Sequence, residues 1–406
     1  MRAFSLAVIF AALLAGQALA QDYGAIDVVD EVRNSVVSID INSLAVNYAT
    51  LDMSTQSLLT RQITGVVYTE NGYILTDSNS IDDGIYINVR FEDGHEYEGE
   101  FIGADLQYGV GVIKIDPDPD HDLKPIKMRG ELYNSDIGSL PYEQGEPVLA
   151  IGYSGGYGGT VTSGIISAIR TFRNSRKILI PNMIQADCPI NVGNEGCPLF
   201  NDKGEVIAFH DIQGGGGGLQ RISFFSPAWI IKRVADEIIA NHESERPANS
   251  EDVVWHPWLG IQPYAGSQGA SGLRAQSDDL KMFFGMPDQY WDVGILLNDV
   301  WREGPAAEYG LRRMDWLMTV TVVNQDANTG EDTVKTPYQL IKTVQQLEVL
   351  VSTAERGDIF IFGVLRNGNM FDVEVTIGQH PAATAYLPDA SSDLTRSDLA
   401  RMTEYF

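Results

Sequence analysis

Apolar residues in this chain recur mostly at alternate positions in short runs, and few stretches keep the three-to-four spacing of a buried helix face. Ile26 to Asn34 reads as a short helix and Ser35 to Ile39 as the strand after it. Asn42 to Gln62 is polar and reads as a loop. Strands are then expected at Ile63 to Tyr68, Tyr73 to Thr76, Ile85 to Phe91, Tyr97 to Gly103 and Val110 to Ile115. More follow at Pro147 to Ile151, Thr160 to Ile169, Met183 to Ala186 and Val206 to Phe209. Short strands bounded by Gly, Asn and Asp, as at Glu70-Asn71-Gly72, indicate an all-β barrel or sandwich.

A helix from Pro227 to Asn241 closes this unit, and the polar stretch His242 to Pro257 reads as a linker. Beyond it stand Trp258 to Ile261, a strand at Val293 to Val300, helices near Pro305 to Tyr309 and from Pro337 to Val344, and strands at Ile359 to Leu365 and Phe371 to Ile377. That is a smaller mixed domain. A tail runs from residue 379 to 406, with helical character near Leu394 to Met402. The expected division is 1–20, 21–241, 242–257, 258–378 and 379–406.

The first segment changes the picture of where the chain works. Met1-Arg2, an apolar run from Ala3 to Leu14 and Ala18-Leu19-Ala20 read as a cleaved secretory signal, too short for the ~20 apolar residues of a bilayer span. The expected location is the bacterial periplasm. The 55 Asp and Glu against 28 Lys and Arg give a net charge of -27, which argues against nucleic acid and against anionic lipid as partners. Solubility, or a salty medium, is the first reading of that charge. The two cysteines, Cys188 and Cys197, lie in a compartment where disulfides persist. A bridge would staple the loop between them; two buried thiols are the other reading. The acidic run Asp116 to Asp122 reads as a solvated loop before it reads as a Ca²⁺ chelator, since it lacks a closing glutamate. No cofactor and no metal are expected.

Candidate chemistry centres on three segments. A barrel-type serine protease needs an attacking hydroxyl, an imidazole that takes its proton, an orienting carboxylate, and a turn of backbone N–H groups that holds the oxyanion. Asn191 to Leu199 (Asn-Val-Gly-Asn-Glu-Gly-Cys-Pro-Leu) resembles the nucleophile turn of the HtrA/DegP-type serine proteases, Asn-Pro-Gly-Asn-Ser-Gly-Gly-Pro-Leu. Gly72 to Ile81 resembles their Gly-Tyr-Ile-Leu-Thr-Asn-Asn-His-Val-Ile, and Asp105 to Ile115 the segment with their aspartate. Gly145 to Gly152, Val161 to Ser167 and Ser223 to Pro227 are further matches in family order. The resemblance implies a mainly β fold, a trypsin-like double β-barrel followed by a mixed α/β PDZ domain. It also suggests a trimer.

Three departures bear on function. Asn79 stands where the family has histidine, Gly109 where it has aspartate, and Glu195 where it has serine. The expectation is therefore a pseudoprotease, not an enzyme: a non-catalytic, chaperone-like or regulatory binding scaffold. An active serine endopeptidase of periplasmic quality control is the alternative. Gly193 and Asn194 keep the turn that would hold an oxyanion. The Glu195 carboxylate either folds onto those amides or points to solvent. In the second domain Trp258, Leu259, Gly260 and Ile261 resemble the PDZ loop that binds a terminal carboxylate. The groove is open for peptide, or filled. Expected partners are unfolded or C-terminal segments of exported proteins, and an active relative of the same family.

Overall fold

The computed structural model describes residues 25–45, 57–81, 86–129, 142–153, 157–173, 179–213, 221–244, 254–263, 293–325, 332–380 and 385–386. The expected signal, the glycine run 214–218 and most of the tail lie outside these residues. Among the described residues no helix is long and apolar enough to cross a membrane.

A short helix, α1 (Ala25–Val32), leads into six strands: β1 (Val36–Ala45), β2 (Ser57–Val67), β3 (Tyr73–Asp77), β4 (Tyr86–Arg90), β5 (Glu96–Asp105) and β6 (Val110–Lys114). They run in the order β5-β4-β1-β2-β3-β6 and close through a β5–β6 pairing. Alternation places Val37, Ile39 and Ile41 on one face of β1. They meet Ile74, Ile87 and Ile113 inside the barrel, all buried.

After the two-residue β7 (Lys127–Met128) comes a second set: β8 (Pro147–Gly152), β9 (Thr160–Arg173), β10 (Leu179–Ala186), β11 (Pro198–Phe200), β12 (Glu205–Gln213) and β13 (Ser223–Pro227). Their order is β11-β8-β9-β10-β13-β12, closed by β11–β12, with β7 added on β12. Helix α2 (Ala228–Glu243) buries Trp229, Ile230, Ile231, Val234, Ala235, Ile238 and Ile239. With Leu75, Val112, Ile151 and Phe200 these form one apolar cluster that joins both barrels.

The remaining chain builds a smaller sheet. β14 (Pro257–Trp258), β15 (Ile261–Pro263), β16 (Ile295–Val300), α3 (Pro305–Glu308), β17 (Trp316–Gln325), β18 (Asp332–Leu340), α4 (Val344–Ser352), β19 (Asp358–Arg366), β20 (Asn369–Thr376) and β21 (Gly378–Gln379) follow in order. The sheet runs β15-β16-β17-β19-β20, with β18 beside β17 off that path. β22 (Ala385–Tyr386) returns to pair with β5 of the first barrel.

Two element expectations are corrected. Asn42 to Gln62 is not all loop, because β1 and β2 pair from Val36↔Val66 out to Ala45↔Ser57. Its described polar residues are cross-strand partners: Thr60 donates to Asn42 at 2.7 Å and Gln62 to Asp40 at 3.1 Å. Pro337 to Leu340 is strand, and the helix starts only at Val344, where the Thr343 hydroxyl accepts from the Gln346 N–H at 3.0 Å. Pro337 is tolerated because β18 pairs only β17, at a register shift between Val320 and Val322.

The end of the expected linker is packed. Trp255 N–H donates to Glu237 at 2.6 Å and its indole to the Ala354 carbonyl at 2.9 Å. His256 lies fully buried, with Nε2 2.6 Å from an equally buried Asp105 carboxylate and its ring stacked on Tyr108.

Candidate functional site

Where the two barrels meet, Thr64 of β2 clamps the turn before β11. Its N–H donates to the Glu195 carbonyl at 3.0 Å and its hydroxyl to the Gly193 carbonyl at 2.7 Å. The Thr64 hydroxyl also accepts from the Tyr153 N–H at 3.0 Å, and its carbonyl from the Thr76 hydroxyl at 2.7 Å. Gly193 and Gly196 have φ of 97° and 77°, which glycine adopts without strain. A Cβ on Gly196 would come within 2.6 Å of the Asp77 nitrogen, so the turn and the end of β3 touch backbone to backbone.

The three expected triad positions converge here. Asn79 lies exposed on the one-turn helix Ser78–Ser80, and the Ser78 N–H donates to the Gly109 carbonyl at 3.2 Å. The Asn79 amide leans on Asp77 at 3.3 Å. The Glu195 carboxylate, half-buried, accepts from the Gly193 N–H at 2.6 Å. It therefore occupies one of the donors that a trypsin-like turn offers to an oxyanion. Asn194 is buried beneath the turn.

Asp77 is a carboxyl group outside the three triad positions. It is fully enclosed and accepts from Ser80 at 2.6 Å. Burial above all, with a smaller push from the negative charge of Glu195, raises it to about 6 against the opposing hydrogen bonds from Ser80 and Asn79. Its signal was legible, an acid at the end of a strand two residues before position 79.

Cys188 and Cys197 are free thiols packed in the second barrel's core with Leu199 and Phe225. Burial lifts Cys188 to about 12 and Cys197 well above the usual thiol range, so neither is a ready nucleophile. The disulfide reading does not describe this structure; both side chains spend their surface on apolar neighbours.

Trp258, Leu259, Gly260 and Ile261 are not at this cleft but on the smaller sheet. Gly260 has φ +73°, and a Cβ there would meet the Gly304 Cα at 3.0 Å and the Trp258 ring at 3.2 Å. The Leu259 and Gly260 carbonyls are held inward by the N–H groups of Ala306 and Trp301, at 2.9 and 2.8 Å.

Two closed six-stranded barrels with a glycine turn at their junction define a trypsin-like fold. Residues 63–209 match the family described as Trypsin-like peptidase domain. A "probable periplasmic serine endoprotease DegP-like" of Halomonas elongata is 32% identical over 319 residues, 78% of this chain and 56% of the relative. Its counterpart in Pseudomonas fluorescens is 30% identical over the same shares. The chain thus spans little more than half the length of these relatives. Among solved structures, the HtrA-type protease AlgW with decapeptide superposes with TM-score 0.59 at 24% identity, over 88% of this chain and 99% of that one. The serine endoprotease from Yersinia pestis does so with TM-score 0.52, also at 24% identity, over 87% and 97%. The chain belongs to the HtrA-type serine protease family, and the periplasmic location expected from residues 1–20 agrees with the relatives' names.

The expectation that the chain is not an enzyme is overturned by those names, since relatives aligned over 78% of it are called serine endoproteases. Asn79, Gly109 and Glu195 bear on one proton relay, from hydroxyl to imidazole to carboxylate. That relay does not include the Asp77 carboxyl group, which lies buried beside the turn.

Proposed function

We propose that this chain handles polypeptides in periplasmic protein quality control, taking hold of an extended or C-terminal segment along the edge of β15. The division that goes with it is a trypsin-like unit over 21–241, a linker over 242–257 and a PDZ-like unit over 258–378. The observation that carries it is that β15 ends its sheet among the described residues, directly after the Trp258–Ile261 loop. With the Leu259 and Gly260 carbonyls tied inward, the loop's outward face is left to N–H groups, which suit a terminal carboxylate. The β15 edge offers backbone pairing to the rest of the segment. The HtrA-type protease AlgW with decapeptide is a structural neighbour, which supports the same use here.

Fluorescence anisotropy with apolar-ended peptides tests this. Peptides with a free terminal carboxylate should bind at least ~10-fold more tightly than the same peptides amidated, since the charge-assisted contacts are lost. Equal affinity for both forms contradicts the proposal.

The relatives' names favour a second reading, endopeptidase action at the barrel cleft. With Glu195 in place of a hydroxyl, the attacking group in this chain would be water, and the Glu195 carboxylate the base that takes its proton. Casein cleavage that falls in Glu195→Gln supports this reading; cleavage unchanged in that variant, or none in the wild type, removes it.

A further inference from the structure

At the far side of the first barrel a cluster stands that peptide handling does not use. Asp93 and His95, in the tight turn between β4 and β5, face His121 from the acidic loop after β6. The ligand-type atoms of these three residues lie within 4.8 Å of one another. Asp93 is the hub: one oxygen is 2.9 Å from His95 Nδ1 and the other 3.2 Å from His121 Nε2. The two imidazoles stack at 4.0 Å, 12° from parallel.

The orientation of His121 points to what belongs between these groups. Tyr97 donates its hydroxyl proton toward Asp118 at 3.5 Å, and the same oxygen lies 2.8 Å from His121 Nδ1. A hydroxyl that gives its proton to Asp118 accepts from Nδ1–H. In the metal-free protein the 2.8 Å contact also lets Tyr97 donate to Nδ1, with Nε2–H given to Asp93. In the first tautomer, the one metal binding requires, the Nε2 lone pair faces an Asp93 oxygen and two acceptors stand 3.2 Å apart. A cation resolves that opposition. The Tyr97–Asp118 pair is the outer hydrogen-bond partner that holds a metal-binding histidine in its tautomer. Asp116, Asp120 and Asp122 add negative charge on the same loop, which favours a cation's approach.

We propose that Asp93, His95 and His121 bind one first-row divalent transition cation, Zn²⁺ being the ion their chemistry suits. Two imidazoles and one carboxylate are borderline donors, whereas Ca²⁺ and Mg²⁺ take oxygen sets. Three protein ligands leave a fourth position for water. Binding requires the stacked rings to splay until both lone pairs reach one point. The turn permits it, since Gly94 has φ +94° and nothing within 4 Å of where a Cβ would stand. The ion would pin the acidic loop to the β4–β5 hairpin.

The test uses the mature chain without an affinity tag, titrated calorimetrically with Zn²⁺ and with Ca²⁺, and with Co²⁺ followed by visible absorption. About one equivalent of Zn²⁺ should bind, and Co²⁺ should give the intense bands of a four-coordinate site. His95→Ala and Asp93→Asn should each weaken Zn²⁺ by roughly 10-fold or more, with Ca²⁺ absent or far weaker in every form. The His95 side chain is 43% exposed, so its removal leaves the barrel folded, which circular dichroism checks. Equal Zn²⁺ affinity in wild type and His95→Ala overturns the proposal. So does Ca²⁺ binding as strong as Zn²⁺, which would assign the effect to the acidic loop, and so does no Zn²⁺ binding.

Discussion

Glu195 and Asp77 together set the acid–base character of the turn, burial of Asp77 being the larger part. The Glu195 carboxylate sits 2.6 Å from the Gly193 amide, and its charge acts on Asp77, which burial already holds at about 6. The folded protein thus binds the Asp77 proton more tightly than an unfolded chain with the ordinary value of 3.8. Asp77 therefore contributes stability that is complete below about 3.8 and lost as pH rises through about 6, on the order of 3 kcal/mol in all. His380 has the opposite sign. Burial, then the neighbouring His256, lowers it from 6.5 to about 4, so its contribution is complete above 6.5 and lost as pH falls toward 4. Urea unfolding from about pH 4 to 6.5 should show Asp77→Asn gaining stability relative to wild type as pH rises. A constant difference would place Asp77 in a more polar setting than the structure gives it. At this scale the sequence was informative about positions 79, 109 and 195, which do converge. Asp77 shows in the sequence only as an acid two residues before position 79; that it is buried against the turn, and so holds its proton, comes from the fold.

Elements were legible where one face is buried and opaque where neither is. β1, with Val37, Ile39 and Ile41 pointing inward, was readable from its alternation. Its extension to Ala45 was not, since Asn42 and Asp40 are stabilised by partners across the hairpin rather than by a core. β18, mostly exposed, escapes the same pattern, and its end from Pro337 reads as helix. β17 is not among the expected strands although its run Val320-Thr321-Val322-Val323 is β-branched. Met314 marks a turn that asks for glycine. It has φ +73° and is exposed, just before Asp315, which Arg366 holds through two bonds at 2.6 and 2.7 Å. Relief of left-handed strain of about 1–2 kcal/mol outweighs the added freedom of the unfolded glycine chain. Met314→Gly should raise unfolding stability by about 0.5–1 kcal/mol in denaturant titration. A loss would mean that the Met314 side chain has a role its exposure hides.

Across the whole molecule, the barrels and the smaller sheet are joined by buried chemistry and not only by chain. His256 reaches Asp105 at 2.6 Å with neither exposed, and Trp255 is bonded to Glu237 on one side and Ala354 on the other. Removing one member of such a pair leaves the other buried without it, which typically costs about 3–5 kcal/mol. His256→Leu should therefore speed limited proteolysis between the two units while each keeps its own protected core, followed by mass spectrometry of the fragments. Unchanged cleavage would show that the contacts of Trp255 and the β22–β5 pairing hold the junction without His256. The order of units was legible from motif order, whereas this junction was not, since it depends on two residues at the end of a stretch whose composition reads as linker.

The most direct test of polypeptide handling at the β15 edge is amide hydrogen exchange with and without a carboxylate-ended peptide. Protection gained at Leu259, Gly260, Ile261 and Gln262, and absent with the amidated peptide, is the predicted result. Protection confined to the barrel cleft around Gly193, or no change at residues 259–262, would contradict it.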